Sequence, residues 1–198
     1  MSIREEVRDL KRQRILEAAS RLFFDHGYSG TSVDQIADRL SVTKPFIYYQ
    51  FASKTDLLTA IYLRVVDLAV DAITTAVNGT GSPTDRLRGF ARALALVCIE
   101  HREIIAIYFR EEVYVPKKSL KEIHKRKRQF DARLKELLAE GVAAGEFDVD
   151  DVSMSGLAIS GLLSWVYTWY QPKGRLTPAE IADAMADLVT RMVVKRAP

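Results

Sequence analysis

Residues 43–54 gather Thr43, Lys44, Tyr48, Tyr49, Gln50 and Lys54 within a dozen positions, with no acidic side chain among them. Hydroxyl, ammonium, phenol and carboxamide groups of this kind donate to phosphate oxygens and meet the donor and acceptor pattern of base edges, so recognition of a nucleic acid is the chemistry they point to. The plainer reading makes Phe46, Ile47 and Phe51 core and the tyrosines an amphipathic surface. Further on, residues 115–135 hold nine Lys or Arg against only Glu122 and Asp131. The chain as a whole carries a net charge of only +3, so it is the distribution of charge rather than its sum that carries the signal.

Catalytic chemistry finds little to stand on. The three histidines, His26, His101 and His124, are isolated, and Glu100-His101-Arg102-Glu103 lacks the spacing of a helical metal site. Cys98 lies in the apolar run Leu94-Ala95-Leu96-Val97-Cys98-Ile99 and reads as inert core. Neither a Gly-rich phosphate loop nor a Gly-x-Ser-x-Gly elbow occurs. The expectation is a protein that is not an enzyme, with no metal and no cofactor. A single cysteine forms no internal disulfide and Met1-Ser2-Ile3-Arg4-Glu5-Glu6 is not of signal-peptide type, which points to the cytoplasm. Residues 152–172 are an uncharged run of transmembrane length, but their Ser, Gly, Thr, Tyr, Gln and Pro content weakens transfer into lipid. A buried protein helix, and no membrane partner, is expected there.

Positioning these groups falls to helices. With 198 residues, 48% hydrophobic, 28% charged and only 10 Gly and 6 Pro, the chain has room for long uninterrupted helices and a substantial core. Ile15, Ala18, Ala19, Leu22 and Phe23 recur at helical spacing before His26-Gly27 ends the run. Ser32 with Gln35 reads as a capping box opening a helix of about two turns, buried at Val33, Ile36, Ala37 and Leu40. Ser41-Val42-Thr43 breaks it, and a second short helix restarts with Thr43 as N-cap and Pro45 in its first turn. Ser53 to Asp56 is another capping box, opening a helix to about residue 77; Asn78-Gly79-Thr80-Gly81-Ser82-Pro83 is a loop. Further helices are expected at about 84–101, 103–112, 117–144, 150–171 and 178–195, the last started by Thr177, Pro178 and Glu180. Short helix, tight turn and short helix make the helix-turn-helix pattern, whose second helix can enter a DNA major groove.

On Thr31-Ser32-Val33-Asp34-Gln35-Ile36-Ala37, Val42-Thr43-Lys44-Pro45-Phe46-Ile47-Tyr48-Tyr49-Gln50-Phe51 and Ser53-Lys54-Thr55-Asp56-Leu57-Leu58, the chain resembles the TetR family of bacterial transcriptional regulators. The resemblance implies an all-α fold: a three-helix, helix-turn-helix DNA-binding domain at residues 1–52 and a larger helical ligand-binding and dimerisation domain at 53–198. It places Lys44, Pro45, Phe46 and Tyr49 against bases and Tyr48 and Lys54 against phosphates; Ser32, Thr43 and Gln50 complete the expected DNA-contacting set. Ser41 replaces the family's usual turn glycine, and Gln50 stands where His is frequent and can pair with adenine.

Farther along, Gly141-Val142-Ala143-Ala144-Gly145-Glu146-Phe147, Ser160 to Pro172 and Gly174-Arg175-Leu176-Thr177 are similar to the branch that senses acyl-coenzyme A thioesters in fatty-acid, sterol or aromatic-acid breakdown. Such an effector asks for an apolar tunnel and for cations facing its phosphates. Tyr108, Phe109, Phe130, Trp165 and Trp169 are candidates for the first, and Lys125, Arg126, Lys127, Arg128 and Arg175 for the second. Most of the 117–144 cations belong to a solvated face opposite Leu120, Ile123, Phe130, Leu134 and Leu137; Lys127 falls in line with the apolar stripe and is the cation singled out. Trp165 and Trp169, four apart on one face, read more readily as core or dimer interface than as a ligand box. Ser153, Gly156, Ser160, Gly161 and Ser164, with Ile181, Met185, Leu188, Val189 and Met192, point to a homodimer through helices 150–171 and 178–195 as a four-helix bundle. The expected function is repression, with release from a palindromic operator by an acyl-coenzyme A. A hydrophobic drug-like or aromatic effector remains open, as does a ligand-free architectural DNA binder or helical interaction protein.

Overall fold

The computed structural model describes residues 2–194 and is all-α among them, with a single isolated antiparallel bridge between Phe147 and Val194. The helices are α1 (Ile3–His26), α2 (Val33–Arg39), α3 (Lys44–Gln50), α4 (Lys54–Val77), α5 (Pro83–Glu100), α6 (Arg102–Arg110), α7 (Lys117–Ala143), α8 (Val152–Ser164), α9 (Val166–Trp169) and α10 (Pro178–Val193). A 3-10 turn, Glu112–Tyr114, separates α6 from α7. Residue 195, the expected end of the last helix, lies outside the described residues. No helix among the described residues is long and apolar enough to cross a membrane.

The chain divides into two compact units, Met1–Val65 with Glu103–Ile123, and Val66–Arg102 with His124–Pro198. In the first, Ile15, Ala19 and Phe23 of α1 meet Ile36 of α2, Ile47 of α3 and Leu57, Leu58 and Ile61 of α4, all fully buried. Tyr62 closes this core: its hydroxyl donates to the Ile107 carbonyl at 3.2 Å and its ring lies 4.9 Å from Tyr108. α1 begins where Ser2 and Glu5 form a capping box, and its first turns leave Ile3, Val7 and Leu10 exposed.

In the second unit α10 packs along α5, with Ile181, Ala182, Met185, Ala186 and Val189 turned inward. Cys98 is buried in this core, and burial pushes its thiol up to about 12, as the inert reading requires. The Thr177, Pro178 and Glu180 start holds, both capping hydrogen bonds being present. Between α7 and α8, Gly141 matters because a Cβ there would fall 2.0 Å from the Phe147 ring, so the aromatic side chain lies against bare helix backbone. Gly145 follows at φ 73, a conformation that favours glycine, and turns the chain back so that Phe147 reaches that surface.

Two expectations are corrected here. The 150–171 helix is not continuous: α8 ends at Ser164 and α9 is a single turn. Ser164 and Thr168 hydroxyls donate to the Gly161 and Trp165 carbonyls, offering the backbone acceptors another partner at the break. Nor is the segment buried throughout. Gly156, Ile159 and Leu163 are inside, whereas Met154, Leu157, Trp165 and Trp169 are exposed, as are Leu188 and Met192 of α10. Absence of charge marked an apolar surface without saying what covers it.

Gly141→Ala should lower the unfolding free energy by about 2 kcal/mol in a urea titration, because Phe147 must leave its seat; overpacking of a filled core costs ~1–3 kcal/mol. An unchanged midpoint would show that the ring moves aside freely.

Candidate nucleic-acid interface

The site is built on two short helices and the turn between them. Ser32 Oγ accepts from the Gln35 amide at 3.2 Å and its own amide donates to Gln35 Oε1 at 2.7 Å, so the expected capping box opens α2. At the turn, Ser41 takes φ 54 and the Val42 amide donates to the Ala37 carbonyl at 3.0 Å. The left-handed conformation that glycine supplies without strain is therefore adopted by a serine. Thr43 follows as N-cap of α3 but makes no side-chain capping bond, and Pro45 occupies the first turn.

α3 spends one face on the core and leaves the other outward. Ile47 is buried and Phe46 half-buried, while Thr43, Lys44, Pro45, Tyr48 and Tyr49 are exposed, Tyr49 at 84%. Ser32 is exposed as well. Lys44 Nζ donates to Asp34 Oδ2 at 2.8 Å; this hydrogen bond and the carboxylate charge raise its pKa above the ordinary lysine value. Both side chains are about half exposed, so the pair adds little stability and Lys44 can exchange Asp34 for an outside acceptor.

Gln50, expected among the DNA-contacting residues, is 8% exposed and its backbone carbonyl accepts from Arg12, yet it lines the same groove as Tyr49. Arg12 also lies 4.1 Å over the Phe51 ring. Lys54 likewise has internal work. Its Nζ donates to the Tyr28 and Thr31 carbonyls, each at 2.8 Å, and sits 4.2 Å over the Tyr28 ring. Burial lowers its pKa. Two of three ammonium donors thus latch the α1–α2 loop to the first turn of α4, leaving one for an outside acceptor.

Sequence reasoning passed over Arg4, Arg8 and Lys11. They recur at positions four and three apart on α1, and with Tyr49 they line one groove beside α3, so a basic helical stripe was the available signal.

The residues singled out for an effector fall in both compact units. Tyr108, half-buried, and Phe109, exposed, pack edge to face in the first unit; Phe130 is buried against Phe90 at 6.0 Å in the second. Trp169 and Arg175 do share a groove, with Leu176, Met185 and Leu188, while Trp165 lies outside it. Lys127 is corrected: it is exposed, and Arg126 is the half-buried cation of α7, paired with Asp67. The apolar stripe advances from Ile123 to Phe130 through the residue three after Ile123 rather than four, which is enough to rotate Lys127 to solvent. Lys125 and Arg128 are exposed as well.

Comparison with known proteins bears on both units. Residues 15–61 match the family model described as bacterial regulatory proteins, tetR family, and residues 80–193 match the tetracyclin repressor-like C-terminal domain. The transcriptional repressor KstR2 of Mycobacterium tuberculosis is 26% identical over 189 residues, covering 93% of this chain and 94% of that one. The transcriptional activator FasR of Mycolicibacterium smegmatis is 41% identical over 86 residues, 43% of this chain and 39% of FasR. The structure of AibR in complex with isovaleryl coenzyme A and operator DNA superposes with a TM-score of 0.79 at 30% identity, covering 90% of this chain and 97% of AibR.

Lys54→Met, which keeps the apolar stem and removes the ammonium, should cost about 2 kcal/mol of stability through two lost charge-assisted hydrogen bonds, read by urea unfolding without DNA. A variant as stable as the parent would leave Lys54 with only an external role.

Proposed function

The chain belongs to the TetR family of bacterial regulatory proteins and is a DNA-binding transcriptional regulator, from which we propose that it is a cytoplasmic, homodimeric repressor released from a near-palindromic operator by an acyl-coenzyme A. The observation that carries the DNA reading is α3 itself: Ile47 anchors it while Lys44, Tyr48 and Tyr49 stay exposed. The DNA-binding domain, residues 1–52, comprises α1 to α3. Lys44, Pro45, Phe46 and Tyr49 read bases, and Ser32, Thr43 and Tyr48 hold phosphates. Lys54 adds its remaining donor to a phosphate while latching the domain from behind. Arg4, Arg8 and Lys11 extend the cationic surface.

Dimerisation follows from the exposed apolar side chains of α8 to α10. Met154 and Leu157 lie in one helical row of α8, with exposed Trp165 at its end, and Leu188 and Met192 in another on α10, the pattern that two copies cover by pairing the same patch across a two-fold axis. Two reading helices related by that axis meet successive major grooves, hence a near-palindromic operator.

The effector domain, residues 53–198, takes a small ligand. AibR, crystallised with isovaleryl coenzyme A and operator DNA, supports an acyl thioester as its class, and so does the resemblance of residues 141–147 and 160–177. Exposed cations of α7, Lys127 among them, and Arg175 beside Trp169 are offered to the phosphates. To release DNA the ligand must bind one arrangement of the reading heads more tightly than the other. α4 is the natural lever, since its residues divide between the two compact units and its first turn carries Lys54.

Across a library of operator variants, Lys44→Ala should lose discrimination by about tenfold at one or two positions, whereas Tyr48→Phe should weaken all sites alike; each good base contact is worth ~1–3 kcal/mol. Uniform rescaling by both would remove Lys44 from base reading. In a second measurement, acyl-coenzyme A esters should lower operator affinity at least tenfold where free acids and free coenzyme A do not, and Lys127→Ala should blunt the effect. Release by aromatic or drug-like compounds alone, or by free acids equally, would replace the proposed effector.

A further inference from the structure

Every side chain from Ser2 to Lys11 is exposed, so the first turns of α1 stand outside the core, yet they open on a complete capping box between Ser2 and Glu5. Residues 3–11 make about 13 Å of helix, at 1.5 Å per residue, that no packing requires. Their charges are sorted. At 3.6 residues per turn Arg4, Arg8 and Lys11 share one side of the helix, while Glu6 and Asp9 lie on the other. Glu5 falls nearer the cations, but its carboxylate accepts from the Ser2 amide at 2.7 Å. No ion pair holds Arg4 or Lys11 among the described residues. Arg8 has loose carboxylate neighbours, Asp9 at 3.8 Å and the capped Glu5, all of them exposed and therefore weak partners.

The cationic side is fastened to α3. Arg12 donates to the Gln50 backbone carbonyl and lies over the Phe51 ring, and Lys11 Nζ stands 5.7 Å from the centre of the Phe46 ring. An open groove of about 450 Å³ runs between the two helices, lined by Arg4, Arg8 and Lys11 of α1 and by Tyr49 of α3, with Ile3 and Val7 between the cations. The stripe is thus continuous with the outward residues of α3, and a polyanion that meets Tyr49 meets Arg8 and Arg4 beside it. Each strand of a DNA duplex carries one phosphate per 3.4 Å, so the distance of about 10 Å along the helix from Arg4 to Lys11 corresponds to about three phosphates.

We infer that the N-terminal turns of α1 grip the phosphates of one DNA strand beside the bases met by α3, with Arg4, Arg8 and Lys11 carrying the contact. This rests on the proposed DNA reading and lengthens its footprint beyond the base pairs that α3 reads. The added contact is indifferent to sequence, because phosphate oxygens carry no base information.

The test uses the full-length protein and the tightest duplex that it selects from a randomised library, carried within a longer fragment. The triple variant Arg4→Gln, Arg8→Gln and Lys11→Gln exchanges exposed cations for a good helix former, so its circular dichroism and melting temperature should match those of the parent. Its slope of log affinity against log salt should be shallower by about 2.7, three contacts at ~0.9 each, so that between about 50 and 200 mM salt the parent loses about 40-fold more affinity than the variant. The order of preference across the library should not change. The double variant Arg4→Lys and Arg8→Lys, which keeps both charges, should keep the slope. Replacing flanking phosphates one at a time by uncharged methylphosphonates should weaken the parent at about three neighbouring positions where the triple variant is indifferent.

An unchanged salt slope in the triple variant, or a phosphate scan in which both proteins lose alike, would overturn the inference while selection of an operator by the parent still stood. Loss of preference at flanking base pairs in the triple variant would overturn it as well, since that is the sign of base reading rather than phosphate contact. If the parent selects no sequence, the operator reading fails by itself, and the salt slopes of the two proteins on an unselected duplex decide the stripe by the same criterion. A parent that binds neither duplex would remove both.

Discussion

Seven residues of α-helix do not hold themselves together in water, because the first turn is costly to nucleate and there are few hydrogen bonds afterwards to offset it. α2 and α3 are both that short. Each therefore exists by packing on its neighbours: Val33, Ile36 and Ala37 from the one and Ile47 from the other meet the buried face of α1 and the first turns of α4. This constraint divides α3 into a face that is spent on stability and a face that is not. The second face is available to another molecule for the same reason the first is unavailable, and the rest of the unit is arranged to keep that division rigid. Lys54 ties the loop before α2 to α4, Arg12 closes on the end of α3, and Ser41 accepts a left-handed backbone so that the two helices can meet at the required angle.

The second unit obeys the opposite logic. Its helices are long, its apolar side chains exceed what one chain can bury, and the surplus lies in rows on α8 and α10 and in the groove between α4 and α5. Ion pairs at the surface, Arg88 with Asp187 and Arg92 with Asp183, orient α10 on α5 without adding much stability, since both partners remain solvated.

Arg86 shows how a charge is kept inside such a unit. Paired with Glu140 and bonded to the last carbonyl of α4, it joins three helices, and the one donor it leaves over is a local defect rather than a global cost. Burial of this kind is tolerated where it specifies geometry, and the geometry specified here is the separation of α4 from α5.

By itself the sequence determined the elements. Periodicity, capping boxes at Ser32 and Thr177, the Gly27 stop and the loop at residues 78–83 are local features set by neighbours three or four positions away, and each stands in the structure. The exposed set Thr43, Lys44, Tyr48 and Tyr49 was legible for the same reason: one apolar residue, Ile47, orients the whole short helix. Rotations of a single residue were not. Lys127 was placed by spacing and Gln50 by the family resemblance, but which of two adjacent positions turns inward depends on the helix packed opposite, and so Arg126 rather than Lys127 approaches the interior while Gln50 is largely buried. The break at Trp165 and the exposure of α8 were hidden because an uncharged run looks alike whether it faces a core, a second subunit or solvent. Only the tertiary structure decided where Arg86 and Glu140 meet, since they lie on separate helices, α5 and α7, and no local pattern joins them. Contacts between residues far apart in the chain arise from packing, which depends on every helix at once.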